Sequence, residues 1–150
     1  MSSIDVSRAM LLVEDNPHDE VLALRALNKV GLGDRVVVVR DGEEALEWLF
    51  SRTAAGEDLP AVVVLDLKLP KLDGLEVLER LRAHSPTQRL PVVVFSSSNE
   101  ARDREASWRH SANSYVRKPV EYKLFAEVVG LLGRYWLLYN EGWTQQGGAP

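Results

Sequence analysis

The chain has 150 residues, 45% of them hydrophobic, and a formal charge of −4 from 18 basic and 22 acidic residues, enough for one domain with a core on both faces of a sheet. The absence of cysteine excludes disulfides and thiolate metal sites, and the charges are too scattered for a direct nucleic-acid surface. MSSIDVSRAM lacks the pattern of a signal peptide and no run is long enough to span a bilayer, so a cytoplasmic protein with no membrane partner is expected.

Short apolar runs alternate with stretches of helical periodicity. Met10–Val13 reads as a strand, followed by Asn16-Pro17 and VLALRALNKVG, a helix with Pro17 in its first turn that stops at Gly31. Val36–Val39 is a β-branched strand, and EEALEWLF after Asp41-Gly42 is helical. After the loop AAGEDLP come a third strand, Val62–Leu65, and a third helix, Gly74–Ala83. A fourth strand is expected over 91–95, a polar helix over 99–110, a short fifth strand over 114–116 and a long last helix over 121–139. Continuously apolar strands belong in a parallel sheet covered on both faces. The expected fold is therefore α/β: a five-stranded parallel sheet, doubly wound as (βα)5 in the flavodoxin-like order 2-1-3-4-5, with an extended C-terminal helix and tail.

In that order strands 1 and 3 are neighbours where the winding reverses, and ligands bind beyond the carboxyl ends of strands at such a point. Strand 1 ends in Glu14-Asp15, strand 3 in Asp66, strand 4 in Ser96-Ser97-Ser98, and strand 5 leads into Lys118-Pro119. Three carboxylates meeting at one edge repel unless a cation intervenes. Oxygen-only ligands without His or Cys suit Mg²⁺, with Mn²⁺ as the other fit. Asp66, alone at its strand end, is the candidate nucleophile for phosphoryl transfer, with Lys118 as a positive partner and Ser96 as a hydroxyl able to reach a phosphoryl oxygen. Taken singly, Asp66 is as well explained as a turn residue, and Glu14-Asp15 as solvated acids at a helix entry.

The set LLVEDNPHD, VVVLDLKLPKLDG, PVVVFSS and SYVRKP resembles, in order and spacing, the receiver domain of two-component response regulators over roughly residues 9 to 135. Asp66 and Ser96 are thirty positions apart, and Ser96 and Lys118 twenty-two, as in that family. The resemblance implies that Asp66 accepts phosphate from a sensor histidine kinase. It also implies that Asp15, Asp66 and the Lys68 backbone carbonyl ligate Mg²⁺, with Glu14 acting through a metal-bound water. Ser96 and Lys118 would contact the phosphoryl group, and Tyr115 would be the aromatic switch. The DLKLPKLDG turn, the long loop before strand 3 and the aromatic RYWLLYNEGW segment are similar to small regulators that partner bacterial phytochromes, which makes a bacteriophytochrome the expected kinase. Glu14 stands where most of the family has Asp, Ser96 replaces the commoner Thr, and Ser111-Ala112 replaces Gly-Ala. Lys68 and Ser98 occupy positions that tune phosphate lifetime in the family.

The domain is expected to span 1–139, with 140–150 as a tail and no room for an output domain after about Trp143. Leu124, Phe125, Val128, Leu131, Leu132 and Tyr135 make an inward stripe at helical spacing, while Trp136, Leu137, Leu138, Tyr139 and Trp143 continue around other faces. A homodimer through this helix and tail is expected, with Phe125, Leu132, Tyr135, Trp136, Leu138, Tyr139 and Trp143 as interface residues. His18, His84 and His110 read as surface residues. A Mg-dependent small-molecule phosphatase is disfavoured because it wants a second Asp two residues after the nucleophile, where Lys68 stands. A receiver-like binding scaffold without phosphorylation is a further alternative. No phosphate-cradling glycine loop follows strand 1.

Overall fold

In the computed structural model, which describes residues 4–142, five parallel strands form one sheet in the order β2-β1-β3-β4-β5. The strands are β1 Met10–Val13, β2 Val36–Val39, β3 Val62–Leu65, β4 Val92–Ser96 and β5 Ser114–Arg117. The helices are α1 Pro17–Lys29, α2 Gly42–Ala54, α3 Gly74–Ala83, α4 Ala101–Arg109 and α5 Tyr122–Arg134. β4 starts one residue later than expected and, like β5, runs one residue further, while α4 is trimmed at both ends. β1 pairs with β2 and β3 in one continuous register, Leu12 lying opposite Val38 and Val64.

The three inner strands are buried on both faces, and every position but Ser96 at the end of β4 is apolar. Leu11, Val13, Val63, Leu65, Val92 and Val94 point to the side covered by α2 and α3. Met10, Leu12, Val62, Val64, Val93 and Phe95 point to the side covered by α1 and α5. At the end of α4, Ser111 adopts φ 63° where the expected pattern has glycine, a left-handed conformation costing a side-chain-bearing residue about 1 kcal/mol. Its carbonyl accepts two hydrogen bonds from Arg82, from Nε at 3.1 Å and Nη2 at 3.0 Å, which fix that turn.

The last helix departs from the expected stripe. Phe125, Val129, Gly130, Gly133 and, further on, Leu137 are buried, whereas Leu124, Leu131 and Tyr135 are exposed. The cause is a close approach between α1 and α5: a Cβ on Gly133 would lie 2.5 Å from Leu27 Cδ2. Small residues therefore face inward and several large ones face out. The expected single helix over 121–139 also ends its α-helical part at Arg134, and Tyr135–Tyr139 form a π-helical turn that returns Leu137 to the core. Phe125 packs its ring 5.4 Å from that of Phe95, so its placement at an interface is corrected: it is a core residue. Leu132 and Trp136 are half-buried against the same cluster and are likewise poor interface anchors. Trp143 lies outside the described residues. Two histidines are also corrected. His84 is half-buried with its ring 4.5 Å from that of Phe50, and His110 is half-buried; His18 is exposed as expected.

Candidate functional site

The site forms where β1, β3, β4 and β5 end. Glu14 follows β1, and its backbone N–H still donates to Val39 O at 3.0 Å, so sheet pairing continues past the strand and fixes its direction. Asp66 follows β3 in the same way, donating its backbone N–H to Val13 O at 3.2 Å. Its main chain is held from below by glycine: Gly74 N–H donates to Leu67 O at 2.8 Å, and a Cβ at position 74 would sit 2.2 Å from the Asp66 carbonyl oxygen. The DG that opens α3 is therefore demanded by the strand end it packs under.

Lys118 follows β5, and its N–H donates to Ser96 O at 2.8 Å, the last link of the β4–β5 ladder. Its side chain crosses the site, with Nζ 2.7 Å from Glu14 Oε1, 2.8 Å from Asp66 Oδ2 and 2.9 Å from Asp19 Oδ2. Three N–H bonds saturate the ammonium. Burial alone would lower the Lys118 pKa, but attraction to Asp66 and hydrogen bonds to Asp66, Glu14 and Asp19 outweigh it and hold the group above the ordinary lysine range. Glu14 shows the opposite balance. Burial, assisted by the charge of Asp66, pushes its carboxyl up to about 7 despite the hydrogen bond and charge of Lys118. One ammonium does not neutralise this many carboxylates.

Glu14, Asp15 and Asp66 each offer an oxygen, all within 4.8 Å of one another. An oxygen-only donor set with residual negative charge and an exposed Asp15 open to water fits Mg²⁺ or Mn²⁺. Lys68 approaches Asp66 through its backbone N–H, at 3.3 Å from Oδ1. The site thus unites Glu14, Asp15, Asp66 and Lys118 as expected. It also includes Asp19, which the sequence reading passed over. Asn16 caps α1 by accepting from His18 N and Asp19 N at 2.9 and 3.1 Å, so Asp19 lies in the first helical turn, directly above the sheet edge. The capped Asn-Pro start of α1 was the signal that could have placed it there.

Ser96 is fully buried at the end of β4, and its Oγ accepts from Ser98 N at 3.2 Å. Tyr115, half-buried on β5, donates its hydroxyl to Ser98 O at 2.9 Å. The two switch candidates meet through the backbone of Ser98 rather than directly. The Ser98 hydroxyl in turn donates to Asp103 Oδ2 at 2.5 Å and accepts from Glu100 N at 3.2 Å, tying this loop to α4.

Comparison with known proteins agrees with this geometry. The response regulator receiver domain profile matches residues 10–129. The probable methanogenesis regulatory protein FilR2 of Methanothrix harundinacea is 37% identical over 131 residues, covering 87% of this chain and 84% of its own. The bacteriophytochrome response regulator AtBRR has a solved structure 47% identical to this chain, with a TM-score of 0.67 over 89% of this chain and 98% of that one. The phosphorylated cyanobacterial phytochrome response regulator RcpA, 33% identical, superposes with a TM-score of 0.82 over 91% of this chain and 98% of that one. With the family's profile matched over most of its length and its sheet in the receiver order, the chain belongs to the response regulator receiver domains and resembles those of phytochrome signalling.

Proposed function

We propose that this receiver domain takes a phosphoryl group from a sensor histidine kinase onto Asp66 and passes the event on as a change in protein contacts. The observation that carries this is the Asp66 carboxylate, nearly buried at its strand end, bonded to Lys118 Nζ at 2.8 Å and sharing a pocket with Glu14 and Asp15. An Asp66 oxygen attacks phosphorus, the bond from phosphorus to the donor breaks, and the donor group leaves with the electron pair. Lys118 then gives N–H bonds to the transferring oxygens. Glu14, Asp15, Asp66 and the Lys68 carbonyl are the groups that would hold Mg²⁺ or Mn²⁺, and a bound ion supplies neutralising charge for those oxygens. For the output, Ser96 turning its hydroxyl toward the new phosphate releases Ser98 N–H. The Ser98 carbonyl held by Tyr115 is then free to move with its loop.

The test is incubation with acetyl phosphate and Mg²⁺, followed by intact mass. One added phosphoryl group is expected, dependent on magnesium, labile in mild base and absent from Asp66→Asn. An adduct that survives Asp66→Asn, or none on the native chain, overturns the proposal. The matches to AtBRR and RcpA favour a kinase of the phytochrome type.

A homodimer through the last helix is supported by the exposed apolar stripe Leu124, Leu131, Tyr135, Leu138 and Tyr139. These residues replace Phe125, Leu132 and Trp136 as the proposed contacts. Sedimentation at micromolar concentration should give a dimer for the native chain and a monomer for Leu131→Arg; identical behaviour ends this part of the proposal.

A further inference from the structure

We propose that Asp19 is a positioning residue that keeps the Lys118 ammonium aimed at the phosphoryl group once its other two partners are taken, a role that holds only if Asp66 is the phosphoacceptor. Of the three carboxylates bonded to Nζ, Asp66 becomes the acyl phosphate. Glu14 belongs with Asp15 and Asp66 to the oxygen triplet able to hold a divalent ion. Asp19 is in neither role. Its oxygen lies 2.9 Å from Nζ, and its side chain is 21% exposed against 4% for Glu14 and 10% for Asp66.

Without Asp19, occupation of the metal pocket would leave a four-carbon chain to find the phosphoryl oxygens from a spread of rotamers, at an entropic cost of the kind that ordering any long side chain carries. With Asp19 in place, one N–H stays anchored and two point across the site. The anchor itself is rigid, because Asn16 Oδ1 holds the Asp19 backbone N–H at 3.1 Å and Pro17 fixes the first turn of α1. The site gains order at the expense of one more negative charge close to an incoming anion. A carboxamide should therefore serve nearly as well as a carboxylate, since Asn offers the same acceptor oxygen without the charge.

Asp19→Ala, Asp19→Asn and Lys118→Gln are compared in the full chain with saturating Mg²⁺ and varied acetyl phosphate. Asp19→Ala is expected to lower the saturating phosphorylation rate about tenfold while moving the half-saturating concentration less than about twofold, and Asn to restore the rate to within about threefold. In the Lys118→Gln background Asp19→Ala should have no further effect. The independent readout is the ¹H–¹⁵N signal of the Lys118 ammonium in protein loaded with Mg²⁺ and beryllofluoride: present in the native chain and Asp19→Asn, lost in Asp19→Ala. If Asp19→Ala does not melt cooperatively, Asp19→Ser takes its place with the same expectations. An unchanged rate, an undiminished ammonium signal, failure of Asn to rescue, or an equal loss in the Lys118→Gln background overturns the proposal. A native chain that takes up no phosphoryl group at all ends the phosphoacceptor reading first and this role with it.

Discussion

Helices α1, α2 and α3 each start on a side chain that caps them: Asn16 for α1, Asp41 Oδ1 accepting from Glu44 N at 2.7 Å, and Asp73 Oδ1 accepting from Glu76 N at 3.0 Å. Helices α4 and α5 start at Glu100 and Glu121 with no side-chain cap. The first group follows β1, β2 and β3 along the chain, with Glu14 and Asp66 just past the ends of β1 and β3; the second follows β4 and β5, with Ser96 at the end of β4 and Lys118 just past β5. The start of α4 is instead held by Ser98, a residue of the very loop that a turning Ser96 would release. The acids Glu14 and Asp66 thus precede helices fixed by their own caps, while Ser96, the proposed switch hydroxyl, precedes a helix whose start is held by a residue of the neighbouring loop.

The sharpest way to break this contrast is Gly74→Ala. The new Cβ lies 2.2 Å from Asp66 O, so the turn must shift, with a loss of about 3 kcal/mol in urea unfolding and of phosphorylation together. If stability falls and phosphorylation survives, the static half of the site is less exacting than its packing implies.

Next in size is the pH dependence of metal binding. With Glu14 pushed up to about 7 by burial, its proton competes with the ion, so Mg²⁺ affinity should rise about tenfold between pH 6 and 8 and flatten above, with proton release on binding near neutral pH. Calorimetry in buffers of different ionisation enthalpy measures both. The linked stability effect has a fixed sign. The folded chain holds this proton up to about pH 7, whereas the unfolded chain loses it near 4.5. The metal-free protein should therefore lose stability as pH rises through that window, and Mg²⁺ should reverse the loss.

Two smaller effects compare the helix starts themselves. Ser98→Ala removes both links to α4 and should speed amide exchange across Ala101–Arg109, corresponding to about 1 to 2 kcal/mol of local opening, with the protection of α1 unchanged. Asp73→Ala should lower global stability by about 1 kcal/mol, and Glu100→Ala by no more than a few tenths, since only the former caps its helix.

The sheet was legible because residues 10–13, 62–65 and 92–95 are buried on both faces and so carry continuous apolar runs. The pocket was legible from the set and not from any one acid: Glu14-Asp15 and Asp66 end two such runs, and Ser96 follows Asp66 by thirty positions and Lys118 follows Ser96 by twenty-two. Asp19 escaped because an acid in the first turn of a helix is ordinary, and only the folded placement of α1 over the sheet edge gives it a charged partner. The face of α5 was misread because large apolar residues were counted as inward. At a close helix crossing the inward positions belong to small residues, and Gly133 against Leu27 was the contrary signal.

The π-helical turn at Tyr135–Tyr139, closed by Asn140 N donating to Tyr135 O at 2.7 Å, has a bearing on how this chain can be recombined with its relatives. A wide turn absorbs one residue that an α-helix would have spent on rotation, so it acts as an insertion without a loop. Grafting the last turn of a relative that lacks the widening would swing the final side chains of the helix by about 100° around its axis and take Leu137 out of the core. Chimeras should therefore keep Tyr135–Tyr139 as one unit, with the junction placed before or after it.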